Sequence, residues 1–102
     1  MIVYNVTVNV DDSIHHEWLT WMKEVHIPEV MRTGMFVDNR ILKLLGEEDT
    51  GGVTYAVQYD CESMEKYRHY EKTFAPALQA EHLEKFKDRY VAFRSLLELV
   101  SG

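Results

Sequence analysis

Histidine is the side chain whose ordinary pKa lies closest to neutral, so acid–base chemistry in this chain is sought first at its five histidines. Two of them stand on apolar helical stripes. Trp18, Met22 and His26 recur at i, i+4 and i+8, and Trp21 and Val25 widen that stripe into a core-facing surface. Leu78, His82 and Phe86 repeat the spacing further along. An imidazole so placed can act as a base or donate to a bound anion or carbonyl. It can equally be a buried group bonded to a backbone carbonyl at a helix end. His26 and His82 are therefore the catalytic candidates, with Tyr55 and Tyr59 as further polar company for His26. His15, His16 and His69 read as surface residues.

Arg94 interrupts the otherwise apolar stretch YVAFRSLLELV. A buried guanidinium there must be paired, across a dimer to Asp38 or Glu98, or must hold a ligand carboxylate inside a barrel. Asn5, Thr7, Thr54 and Gln58 fall on one side of two strands, as a structural polar layer or as part of a ligand cavity. Trp18 and Trp21 read first as core. The expected ligand-binding set is Asn5, Trp18, His26, Tyr55, Gln58, His82 and Arg94.

Several chemistries lack their residues. No H-x-x-x-H or H-E-x-x-H spacing occurs, and Cys61 is the lone cysteine, so no metal, no cofactor and no internal disulfide are expected. Seventeen acidic residues against eleven basic ones give a formal charge of -6, which disfavours a nucleic-acid partner. No run of about 18 apolar residues is present to span a membrane. Met1 onward carries no basic segment leading into an apolar one, so the expected location is cytoplasmic. With 102 residues, 46% of them hydrophobic, the chain reads as one globular domain over residues 1–102.

The elements that must position these residues follow from local pattern. IVYNVTVNV, Ile2 to Val10, alternates with period two and predicts a strand. Asp11, Asp12 or Ser13 then caps a helix running from about Ser13 to Val25. Pro28 is expected to stop or kink it, because Ile27 is pushed away from the helical region, which leaves His26 at a helix end. A short turn over 28–32 ends at Thr33 and Gly34. Met35 to Leu45 and Val53 to Tyr59 predict a hairpin around the acidic turn Gly46–Gly52. Ser63 is set to cap a second helix that Pro76 kinks or divides, and Tyr90 to Val100 predicts the last strand. Cys61 falls at the junction of strand and helix.

This β-α-β-β-α-β order is the split βαβ of an α+β, ferredoxin-like fold, with antiparallel sheet order 4-1-3-2. The central strands turn a polar side away from the helices. The edge strands are apolar on both sides, through Ile41, Leu42, Leu44 and Leu45 and through Leu96, Leu97 and Leu99. Such edges invite aggregation unless a second sheet covers the open face, which predicts a homodimer.

With MIVYNVTVNV, EWLTWMKEVHIPEVMRTG, GGVTYAVQYDCES and YVAFRSLLELV, essentially the whole chain resembles the dimeric α+β-barrel superfamily. More closely it resembles an uncharacterised bacterial family within it, a domain of unknown function seen chiefly in Bacteroidetes-type bacteria. The superfamily also holds antibiotic-biosynthesis-type and heme-degrading monooxygenases. The heme-degrading pattern implies an Asn on the first strand, matched by Asn5, and a ligating His that His69 would supply. It places its Trp on or near the second helix, whereas both tryptophans here precede Pro28, so no heme is expected. Cofactor-free members line a pocket for aromatic substrates with Asn, Trp and Arg, types supplied by Asn5, Trp18 and Arg94. The resulting expectation is a small-molecule pocket between the first helix and the sheet, in the style of a cofactor-independent monooxygenase or isomerase. The alternative is a non-catalytic dimeric ligand-binding or assembly module.

Overall fold

The computed structural model describes residues 1–46 and 51–102. Most of the predicted acidic turn lies outside the described residues. Four strands form one antiparallel sheet: β1 (Ile2–Asp11), β2 (Asp38–Lys43), β3 (Gly52–Cys61) and β4 (Tyr90–Glu98), in the order β2-β3-β1-β4. That is the order 4-1-3-2 read from the other edge, and the fold is ferredoxin-like. β2 begins three residues later than its sequence suggests, because Met35 to Val37 cross from the helix layer to the sheet edge before pairing starts.

Register decides which side chains face the helices. Tyr4 lies opposite Tyr59, Val6 opposite Val57 and Val8 opposite Tyr55, so one side of the central pair is apolar and aromatic. Ile41 joins this side from β2, and Ala92 and Arg94 join it from β4. All of these except Arg94, which stays exposed on the edge strand, pack with Trp18, Met22, Val30, Tyr67, Tyr70 and Phe86 into one core. The other side carries Asn5, Thr7, Thr54 and Gln58.

The first helical stretch departs from expectation. α1 (His15–Trp21) passes through a π-helical turn (Met22–His26) into α2 (Ile27–Arg32) without a break. Ile27 keeps helical angles, φ -61 and ψ -44, and its N–H reaches back five residues to the Met22 carbonyl. Widening the turn relieves the clash that the Pro28 ring makes in a regular α-helix and absorbs its missing donor. His26 therefore sits inside a continuous helix and not at its end. The start also differs. Among the described residues no side chain caps α1; Asp11 and Ser13 instead accept from Arg89 at 2.8 and 2.7 Å.

The second helical stretch is divided as Pro76 requires, into α3 (Met64–Thr73) and α4 (Ala75–Phe86). Ser63 caps α3 by accepting from the Lys66 N–H at 3.2 Å. Cys61 is fully buried at the end of β3, its thiol directed at the Met35 and Ser63 carbonyls. Among the described residues, no helix is long and apolar enough to cross a membrane.

Candidate functional site

Three elements bring the two stripe histidines together. The π-helical turn rolls His26 inward beneath the helix, α4 presents His82, and their rings lie 5.8 Å apart. Trp21 stacks on His26 at 5.1 Å, and Tyr90 meets His82 edge-on at 4.4 Å. Trp18 is wholly buried, and its indole N–H donates to Nε2 of His82 at 2.8 Å. An acceptor at Nε2 places the proton of the neutral His82 ring on Nδ1.

Both imidazoles are held neutral. Burial lowers the His26 pKa to about 4, with Arg94 adding to the effect and Glu29 opposing it. Burial likewise lowers His82 to about 4, assisted by His26 and Arg94. Nδ1 of His26 is buried and has no hydrogen-bond partner among the described residues. A buried polar atom left without a partner costs about 1–3 kcal/mol and calls for an explanation.

That explanation adjoins it. A cavity of about 40 Å³ is lined by His26, His82, Tyr4, Tyr59, Gln79 and Arg94 together with apolar side chains of the core. The volume admits about one water-sized group with polar partners. Burial pushes the Tyr4, Tyr59 and Tyr70 phenols up, so all three stay protonated. Arg94 and Gln79, close to the Tyr4 hydroxyl, partly oppose that upward shift. The same two side chains also line a groove of about 450 Å³ on the outside of α4 and β4. Gln79 and the exposed Arg94 thus stand between this small, partly open and largely apolar cavity and an open groove large enough for a small molecule.

Of the remaining expected residues, Asn5 and Gln58 lie across the sheet from this cavity. The Gln58 amide donates to Asn5 at 3.1 Å, and Asn5 donates to Thr7 and Ser95. They belong to a polar network on the open face, which Arg40 extends by bonding Gln58 at 2.9 Å and Asp60 at 3.1 Å through both of its terminal nitrogens. Arg94 goes the opposite way. Register sets it against Val6, on the helix side, and not in the space between two sheets. Tyr55 is also on the helix side but beside α1, where it stacks on Trp18 at 5.2 Å and bonds His15 at 3.1 Å. His69 is exposed on α3. Gln79 and Tyr4 escaped notice in the sequence. The period-two pattern of β1 does place Tyr4 on the core side, but nothing local marks a core tyrosine as polar lining.

A family model described as a domain of unknown function, DUF4286, matches residues 1–100. No curated protein matches the sequence. Among solved structures, the chain is similar to an arginine-to-serine variant of MhuD with two manganese protoporphyrin IX bound per active site, at 19% identity and a TM-score of 0.73, covering 100% of this chain and 97% of that one. It is similar to a dimeric ferredoxin-like protein from an uncultured marine organism at 16% identity and a TM-score of 0.71, covering 100% and 97%. It is similar to an asparagine-to-alanine variant of SnoaB, a cofactor-independent oxygenase from Streptomyces nogalater, at 14% identity and a TM-score of 0.67, covering 99% and 95%. At these identities the likeness shows the fold alone. A porphyrin does not fit the residues present here. It is many times larger than about 40 Å³, His69 points out to solvent, and Asn5 is on the far side of the sheet.

Proposed function

For a chain that belongs to the DUF4286 family, we propose a homodimeric small-molecule-binding protein with oxygenase-like chemistry, whose ligand places a hydroxyl head in the His26–His82 cavity. One observation carries this reading: His26 Nδ1 is buried, has no partner among the described residues, and adjoins a cavity with a few polar side chains in its wall. A ligand hydroxyl that bonds this nitrogen recovers a cost already present in the free protein. The body of the ligand occupies the groove of about 450 Å³ beyond Gln79 and Arg94, which part to admit it. A phenol or enol suits the site best, because Arg94 stabilises the oxyanion as the proton passes to His26 Nδ1. An oxyanion of that kind can pass electrons to dioxygen without a cofactor, and SnoaB, named as a cofactor-independent oxygenase, shares the fold.

A second reading has its own support. An imidazole held at about 4 is a weak base at neutral pH. That favours a non-catalytic ligand-binding module, in which His26 only orients the bound hydroxyl.

The dimer is proposed from the open face of the sheet. Val91, Phe93 and Leu97 of β4 are 73, 63 and 47% exposed on that face, and Leu42 of β2 is 47% exposed. They flank a self-satisfied polar centre, an arrangement that a second copy covers well. The similar marine protein is named as dimeric.

Titration calorimetry with 1-naphthol as the probe, paired with oxygen-uptake measurements, tests the site. Binding should weaken at least tenfold in His26→Phe and in Arg94→Ala. Oxygen uptake that disappears with His26→Phe supports the oxygenase reading, and binding without uptake supports the module. Binding that neither substitution alters would remove the cavity from consideration.

A further inference from the structure

A second concavity, unrelated to the His26 cavity, lies between α1 and the edge strand β2. It has a volume of about 650 Å³, within the size range of small-ligand sites. Its floor is apolar: Leu19 and Ile27 from the helix layer and Ile41 from β2. Its rim is cationic. Lys23 rises from the helical side and Lys43 from the strand side, both exposed and neither ion-paired with a described residue.

Hydrogen-bonding groups complete it. The Tyr55 hydroxyl is fixed by His15 Nδ1 at 3.1 Å, Lys43 lies opposite Tyr55 on β2 with Asn39 four residues back along the strand, and the His16 ring tilts against His15 at 4.0 Å. The other nitrogen of His15 lies 4.0 Å from Asp12. Among the described residues, none that lines the groove is a carboxylate, although the chain carries a net charge of -6. Two lysines on opposing walls over an aliphatic floor form a local field of opposite sign to the molecule as a whole.

We propose that this groove binds a monoanion with an apolar body, a medium-chain or aromatic carboxylate. The carboxylate lies between Lys23 and Lys43 with Tyr55 donating to it, and the hydrocarbon lies along Leu19, Ile27 and Ile41. The charges at the rim select the anion over a neutral molecule of the same shape, because a neutral head leaves the lysines solvated and gains nothing from them.

Amide chemical-shift titrations with n-octanoate and with 1-octanol test this directly. Octanoate should shift residues of α1 and β2 in a saturable way and bind about tenfold more tightly than octanol. The pair Lys23→Glu and Lys43→Glu, both at exposed positions, should weaken octanoate at least tenfold. Lys85→Glu, the same charge change on α4 outside the groove, should leave its affinity within twofold. Equal binding of octanoate and octanol would overturn the proposal. So would an equal loss from Lys85→Glu, shifts centred elsewhere on the molecule, or no saturable binding at millimolar octanoate.

Discussion

At the residue scale, the chemistry of the candidate site is set by two imidazoles that burial keeps uncharged. Each has a folded pKa of about 4 against an ordinary value of 6.5. Between these values the unfolded chain binds more protons than the folded one. Their contribution is therefore whole above about pH 6.5 and is lost as the pH falls towards 4. At pH 5 each imidazole should have cost about 2 kcal/mol of stability. Urea unfolding at pH 7 and pH 5 measures the loss. His82→Gln, whose carbonyl oxygen can still accept from Trp18, should show a shallower loss than the unaltered protein. An identical loss would mean that His82 is solvated and charges freely in the folded state. The inward direction of His26 and His82 was legible from their i, i+4, i+8 stripes. The tie between His15 and Tyr55 was not. His15 looks like one of three polar surface histidines until the fold brings Tyr55, forty residues away, against it.

At the element scale, the site depends on how two proline-bearing helical stretches are built. Pro76 divides the second stretch, and its two halves point Tyr70 and His82 at the same cavity. Ser63 fixes the first half through its bond to the Lys66 N–H. Ser63→Ala should destabilise the protein by about 1 kcal/mol, read from thermal or urea unfolding. A change smaller than a few tenths would show that tertiary packing alone holds α3. Pro28 behaves differently. A proline in a helical pattern reads as a stop, yet the chain stays helical by widening one turn. Whether a helix breaks or widens depends on core residues on both sides of the proline, here Met22 and Val30, which the local pattern does not report. The side of the sheet on which Arg94 falls was illegible for a related reason. β4 is an edge strand with apolar residues on both faces, so the period-two signal that assigns faces in β1 is missing there.

At the scale of the whole molecule, strand order and element order were the most legible features, because clean alternation in β1 and β3 leaves few topologies open. The open face is where folding alone leaves work undone. Its apolar flanks predict that light scattering after size exclusion gives twice the chain mass of 12.0 kDa at micromolar concentration. Phe93→Asp, which sets a charge among those flanks, should shift the mass towards one chain. A monomeric unaltered protein would leave the apolar flanks of β2 and β4 unexplained. The central claim, however, concerns the space under the first helix. It is most directly tested by long-range proton–nitrogen spectra of the histidine rings at pH 7 during titration with 1-naphthol. The account predicts neutral His26 and His82 rings, the proton of His82 on Nδ1, and a saturable shift of His26 Nδ1 while His69 stays still. A charged His26 ring, or ring nitrogens of His26 that do not move at saturating ligand, would contradict it.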